Sequence, residues 1–208
     1  LTKNNIPMNN GERYLVTTRI KETWPDDRNS ELYFPSIEAL DKYPDENFPY
    51  KNYHILDNCW INDETLSEKF RYLDDLYERT LQQLVKLLNE IHKTNHKEKF
   101  WRILLGPWLT IFLFMSYDKW IKISRALKKF KINKSIFLDF DNNFLIPYEL
   151  KNFIDLTQND LWNQSINQEI CKKLLNIKNI KIIKFLDSKR LNNELKVNRL
   201  KGDKDSLL

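Results

Sequence analysis

The densest run of chemically capable side chains is Glu90-Ile-His-Lys-Thr-Asn-His-Lys-Glu98, which leads straight into Phe100-Trp-Arg-Ile-Leu-Leu-Gly-Pro-Trp108. His92 and His96 are four residues apart, so a continuous helix would put both on one face, a spacing that can hold zinc. The zinc-protease pattern also needs Glu directly after the first His, and Lys93 stands there; His54 is the sole further histidine, so no metal site is expected. A polar corner between two helices fits better. Imidazole titrates near neutrality, so His96, or His92, can act as general base toward a sugar hydroxyl. Arg102 offers a planar fork for carboxylate or phosphate, and Trp101 and Trp108 offer flat faces for sugar rings. The structural alternative pairs Arg102 with Glu90 or Glu98 and leaves the histidines as helix caps.

A second cluster, Thr17-Thr-Arg-Ile-Lys-Glu-Thr-Trp24, follows an expected strand. Ligands of open α/β sheets bind beyond the carboxyl ends of strands, so Thr17, Thr18, Arg19 and Glu22 are candidates there. Ordinary turn and cap chemistry is the alternative. A third cluster, Asn159-Asp-Leu-Trp-Asn163, opens a helix that Asp160 can cap.

The elements that must carry these groups are legible. Arg13–Ile20, Glu31–Phe34, Tyr53–Leu56 and Ser135–Phe140 are β-branched or aromatic and read as strands. Thr65-Leu-Ser-Glu68 fits a capping box. Apolar residues at Leu66, Phe70, Leu73, Tyr77, Leu81, Leu84, Leu88 and Ile91 then mark a long amphipathic helix, about 65–93. A second helix, about 97–130, is expected to break at Gly106-Pro107 and so to bring Arg102 and the 92–96 corner into one cleft. Asp141-Asn-Asn143 reads as a turn, Asp160–Asn176 as a helix, and Lys178–Leu186 as strand or helix. The fold class is α/β and helix-rich. The apolar run Ile103–Met115, bracketed by Arg102 and Asp118, is too short to span a bilayer and reads as a buried core helix, with monotopic membrane contact the lesser reading.

Composition excludes some functions. Three glycines in 208 residues make a Gly-rich phosphate loop a poor expectation. The net charge is +5, but Lys172–Leu208 carries +7 and residues 1–171 carry −2, so the basic character belongs to a tail and no nucleic-acid partner is expected. Cys59 and Cys171 form no metal or disulfide pattern, and no signal peptide is evident, which points to a reducing cytoplasm.

On these same residues the chain resembles the transferase family found beside O-antigen and other surface-polysaccharide genes. Glu22-Thr-Trp24 and the helix Tyr72-Leu-Asp-Asp-Leu-Tyr-Glu-Arg79 are similar to members. So are Leu88-Asn-Glu-Ile-His92, Asn95-His96, the Phe100–Trp108 block, and Asp160 with Trp162-Asn163. Pro35-Ser-Ile-Glu38 departs from the Gly-Glu-Trp-Cys-like stretch of relatives. The resemblance covers about 13–176. It implies the N-terminal, Rossmann-like half of a two-domain glycosyltransferase of the GT-B type, with acceptor contacts and a catalytic base in this half. The loose residues 1–12 would precede this domain, and the basic segment 177–208 would lead to a C-terminal domain absent from this chain. The implied donor is a nucleotide-activated sugar, with no further cofactor. The implied acceptor is a cell-surface glycan, and the implied place of work is the cytoplasm, at the inner face of the membrane with peripheral contact. Catalysis would fall to His96, Arg102 and Glu22, and substrate contacts to Thr17, Thr18, His92, Asn95, Trp101, Trp108, Asp160 and Asn163. Alone, the chain is expected not to turn over sugar nucleotides. The competing expectation is a non-catalytic helical module with a basic tail docking on membrane or nucleic acid.

Overall fold

The computed structural model describes residues 12–60, 64–139, 146–175 and 180–184. Expectations for residues 1–11, for the turn at 141–143 and for 185–208 lie outside them. Five strands form one parallel sheet: β1 (Arg13–Leu15), β2 (Glu31–Phe34), β3 (Tyr53–Ile55), β4 (Lys134–Asp139) and β5 (Ile180–Lys184). Their order is β3-β2-β1-β4-β5. The helices are α1 (Leu66–His92), α2 (Glu98–Lys129), α3 (Leu150–Thr157) and α4 (Asp160–Leu174). The chain builds β1, β2 and β3 outward to one side, then crosses over through the α1–α2 hairpin to place β4 on the other side of β1. This is the Rossmann strand order, and its switch point lies between β1 and β4.

Alternation along the strands divides the core. Leu15, Tyr33 and Phe137 pack with Ile123, Ala126, Ile170 and Cys171 of α2 and α4. Val16, Leu32 and Phe34 face the other way, onto Trp24, Leu40 and Tyr50. No α-helix forms in the β1–β2 and β2–β3 connections; short 3₁₀ turns at Lys21–Thr23 and Ile37–Ala39 and their aromatic residues cover that face instead. In β4 the buried run Ser135–Leu138 is what a strand enclosed on both faces requires.

Several sequence expectations are corrected. β1 ends at Leu15, not at residue 20, because Val16 onward turns away from β4. Helix α2 is continuous through Pro107, whose ring removes one backbone donor without ending the helix. At Gly106 a Cβ would meet Tyr77 Oη at 2.9 Å, so α1 and α2 come close at this point. The run Ile103–Met115 is not a buried core helix. Within it Gly106 and Leu109 are buried, while Ile103 and Leu104 are 71% and 60% exposed. Helix α2 is also long and apolar enough to cross a membrane by length and composition, with a stretch of 18 residues in it reaching mean hydropathy 1.3. Thr65 is the N-cap of α1 but makes no side-chain cap hydrogen bond. The cap of α4 is Asn159, not Asp160; its side chain accepts from the N–H groups of Leu161 and Trp162.

Candidate functional site at the switch point

The last β1–β4 register pair is Leu15 with Ser135. Beyond it the two strands diverge, and α4 fills the split with carboxamides. Gln164 is fully buried; its Oε1 accepts from Leu138 N–H at 2.9 Å and its Nε2 donates to Leu138 O at 3.2 Å. One side chain thus supplies both bonds that a neighbouring strand would have made. Asn167 Nδ2 donates to Thr17 O at 3.3 Å, and Ser135 Oγ donates to Leu15 O at 2.9 Å. Asp160, Asn163, Gln164 and Asn167 recur at helical spacing, so α4 turns a polar face to the carboxyl edge of the sheet.

That edge carries a polar cleft. Its inner part, about 70 Å³, is lined by Thr17, Thr18, Ser36, Glu38, Asp118 and Lys119, with Lys122, Asp160, Asn163 and Asn167 among the remaining walls. An outer part of about 410 Å³ shares Glu38, Asp118, Lys119, Asp160 and Asn163 and adds Arg19, Thr157 and Gln158. Four elements converge here: the chain after β1, the chain after β2, the middle of α2 and the start of α4.

The charges differ in how they are committed. Lys122 Nζ lies 2.8 Å from Asp118 Oδ2 and 3.1 Å from Glu38 Oε2. Burial works against its charge, but those bonds outweigh it and hold its pKa above the ordinary lysine value. Asp118 Oδ1 accepts from Trp60 Nε1 at 2.6 Å, so both of its oxygens are engaged. Asp160 commits Oδ2 to Arg19 Nε at 2.9 Å; among the described residues its Oδ1 has no hydrogen-bond donor. Lys119 is half-buried, and among the described residues no carboxylate comes within ion-pair distance of it. Burial pulls its pKa below the ordinary lysine value, against the opposing charges of Asp118, Glu38 and Asp160. Two buried polar atoms of the cleft, Thr18 Oγ1 and Asn163 Oδ1, have no partner among the described residues. Buried polar groups are usually satisfied, so such atoms in a cleft invite a ligand. The cleft thus offers a ligand the Lys119 ammonium, one carboxylate oxygen of Asp160 and two unpartnered polar atoms.

The helix corner is organised differently. Asn89 Oδ1 accepts from Thr94 Oγ1, His96 N–H and Trp101 Nε1 at 3.0–3.1 Å, and Asn89 Nδ2 donates to His96 O at 2.9 Å. His96 is exposed and stacks on Phe100 at 4.0 Å; His92 stacks on Trp101 at 6.0 Å; Asn95 is exposed. Arg102 binds Glu78 through both terminal nitrogens, at 2.7 and 2.6 Å, and Glu98 at 2.6 Å. Its partners include one of the two expected acids, Glu98, and add Glu78. Trp101 is buried, and Trp108 stacks on Phe112 within the cluster of Phe153 and Trp162. With α2 unbroken, the expected cleft joining Arg102 to the 92–96 corner does not form. Arg102 and Lys119 stand about 25 Å apart along α2 at 1.5 Å per residue. Glu22 is exposed on the first 3₁₀ turn.

Thus Thr17, Thr18, Asp160 and Asn163 meet in one cleft, while His92, Asn95, His96, Trp101 and Arg102 gather at the far end of the hairpin. Sequence reasoning missed Ser36, Glu38, Asp118, Lys119, Lys122, Gln164 and Asn167. The available signal was Asp118-Lys119 with Lys122, charges interrupting an apolar helix one turn apart. Among the described residues no cluster of His, Cys, Asp and Glu is suited to a metal ion.

Comparison with known proteins gives one family: the model described as LIC12162 family transferase matches residues 13–205. No curated protein and no solved structure matches the chain.

Proposed function

From the premise that this chain belongs to the LIC12162 family of transferases, we propose that the group it transfers is a sugar, moved from a nucleotide-activated donor to a cell-surface glycan of the O-antigen kind. In this reading the chain is the acceptor-side half of a two-domain GT-B enzyme working at the cytoplasmic face of the membrane, with no cofactor beyond the donor itself.

The observation that supports it is Lys119: a half-buried ammonium with no ion-pair partner among the described residues, beside the orphaned Thr18 Oγ1 and Asn163 Oδ1 at a sheet switch point. A cation in a partly desolvated site acts more strongly on developing charge than one in water. Lys119 is therefore placed to steady the phosphate that departs from the anomeric carbon. Asp160 Oδ1 takes the proton of the acceptor hydroxyl as its oxygen bonds to that carbon, and the phosphate leaves with the electron pair. Arg19 holds Asp160 in place through Oδ2. The corner of His96 and Arg102, with exposed Glu22, can enter this chemistry only against a surface brought from elsewhere.

The test is nucleotide release from a panel of nucleotide sugars by the full-length enzyme with a surface-glycan acceptor. Wild type should release nucleotide only with acceptor present, and Lys119→Met should lose about 10²-fold. Unchanged turnover in Lys119→Met sinks the assignment. A second reading, a partner-docking module, is favoured by exposed Leu87, Ile91, Ile103 and Leu104 on the hairpin; it gains if no donor is consumed.

A further inference from the structure

A second cavity, about 410 Å³, shares Leu40 with the outer part of the cleft. It is built wholly from the two irregular connections, 21–28 after β1 and 40–50 after β2. Its floor is aromatic. Trp24, Phe48 and Tyr50 contact one another with ring centroids 5.3 to 6.0 Å from each other or from Phe34. Trp24 and Tyr50 are buried and anchored, Trp24 Nε1 to Thr18 O at 3.1 Å and Tyr50 Oη to Pro25 O. Pro25, Pro44 and Pro49 stiffen the walls, so the cavity is preformed. Phe48 is half-buried and Tyr43, at the wall, is 71% exposed; these are the rings left for a ligand to touch.

The rim alternates in sign: Lys21, Arg28 and Lys42 against Asp26, Asp41 and Asp45. Lys21 pairs with Asp41 at 3.5 Å, both well exposed, and Lys42 with Asp45 at 2.5 Å. Exposed pairs of this kind are weak and readily exchange a partner. Lys21 also lies 3.7 Å over the Trp24 ring and Arg28 4.8 Å over Tyr50, so the deep aromatic faces are already occupied by cations.

These features select a ligand class. A cationic guest would meet Lys21 and Arg28 over the rings it needs. An anionic guest meets three carboxylates for three cations. A flat base sandwiched between rings needs parallel faces, yet the floor rings are inclined at 51° to 63° to one another. A neutral pyranose fits all three: C–H groups on one face for the aromatic surface, and hydroxyls around its edge that donate to carboxylates and accept from ammonium and guanidinium groups. We propose that this pocket binds a neutral sugar ring of a glycan chain, with Tyr43 and Phe48 as its platform and Asp26, Asp45 and Arg28 among its hydroxyl partners. The inference deepens the sugar-transfer reading, because the pocket would hold a ring of the glycan next to the cleft. It rests on that reading for the ligand's biological source only.

The test is titration of the purified chain with maltoheptaose, chitohexaose and a neutral mannan oligosaccharide, beside a polyuronate oligosaccharide and uridine monophosphate. Tryptophan fluorescence and saturation-transfer NMR report binding, and circular dichroism confirms that each variant folds. At least one neutral oligosaccharide should bind. Tyr43→Ala should weaken it by about tenfold or more and Asp45→Asn by about threefold, the loss expected for a well-made contact. Lys119→Met should leave it unchanged. Binding of the uronate or the nucleotide alone, no neutral binding, or full binding by folded Tyr43→Ala overturns the proposal. Loss in Lys119→Met would move the ligand into the cleft and overturns it too, while leaving the transferase reading intact. Conversely, glycan binding together with undiminished transfer by Lys119→Met refutes the cleft assignment and supports the pocket.

Discussion

Lys122 is neutralised by two carboxylates, whereas Lys119, three residues earlier on the same helix, is half-buried with none at ion-pair distance among the described residues. The fold therefore bears the charge of Lys119 at a cost, and the sign of that cost is testable. Its folded pKa is lowered from 10.5 by burial. Between the lowered value and 10.5 the unfolded chain binds more protons than the folded one, so stability rises with pH through that window. Below the window the penalty is present in full. Lys119→Met should accordingly raise the melting temperature at neutral pH, and its advantage should shrink as pH climbs toward 10.5; a lower melting temperature at pH 7 would contradict this account. Glu31 behaves oppositely. Burial pushes its pKa up, but hydrogen bonds from Tyr33 and His54 and the charge of Arg13 outweigh it, and the net shift is downward. Its contribution is full above the ordinary value of 4.5 and fades as pH falls through the lowered one. The stability difference between wild type and Glu31→Gln, followed by denaturant melts from pH 6 to pH 3, should close at the acid end.

At the scale of elements, β2 is legible with its observed bounds, Glu31–Phe34, and β3 and β4 to within a residue, because apolar and β-branched runs mark them. β1 reads five residues too long, and the apolar–basic mixture of 178–186 leaves strand or helix open where β5 forms. The long helices were legible from their period. Other features were not, for identifiable reasons. Helix α3 is eight residues long, too short for its spacing of Leu150, Phe153 and Ile154 to stand out. Local propensity predicts a break at Pro107 because it counts the lost hydrogen bond, whereas α2 stays whole where it packs along the hairpin. The types and spacing of His92, Asn95, His96 and Trp101 suggest chemistry at the corner, whereas the structure ties His96 N–H and Trp101 Nε1, with Thr94, to one carboxamide oxygen of Asn89. Two predictions belong here. Lys93 caps α1 in the left-handed region, at φ 52°, where a side chain is strained. Lys93→Gly should add about 0.5–1 kcal/mol to unfolding stability. Gly106 costs helix propensity but makes room for Tyr77 Oη. Gly106→Ala in a Tyr77→Phe background should gain about 1 kcal/mol, and in the wild-type background distinctly less. A double-mutant cycle by urea melts measures the coupling, and equal gains in both backgrounds would remove the packing explanation.

Over the whole molecule, the decisive feature is where the sheet changes direction. Neither Thr17-Thr18 nor Asp160-Asn163 identifies a site by itself, because turn and cap chemistry accounts for either motif. Sequence gives no sign that they meet, since 141 residues separate Arg19 from Asp160. Topology supplies the meeting: β1 ends early, β4 continues, and α4 places Gln164 into the opening. That arrangement commits two backbone groups of Leu138 to one carboxamide. Gln164→Leu should leave a buried N–H and a buried C=O unpaired, costing about 2–4 kcal/mol. The same topology separates the two candidate centres by about 25 Å along α2. A general base must reach the proton it removes, within about 3 Å or through one water, so one reacting hydroxyl cannot be served from both ends of α2. If chemistry occurs at the switch point, Asp160→Asn, which keeps size and removes the basic oxygen, should lower turnover by about 10²-fold with little change in melting temperature. His96→Ala, which removes only an exposed ring stacked on Phe100, should then change turnover by less than about threefold. Both variants are to be assayed in the full-length enzyme, with melting curves taken on the same preparations. The reverse pattern, an inactive folded His96→Ala and a fully active Asp160→Asn, would transfer the catalytic centre to the hairpin corner and require a surface from outside the described residues to complete it.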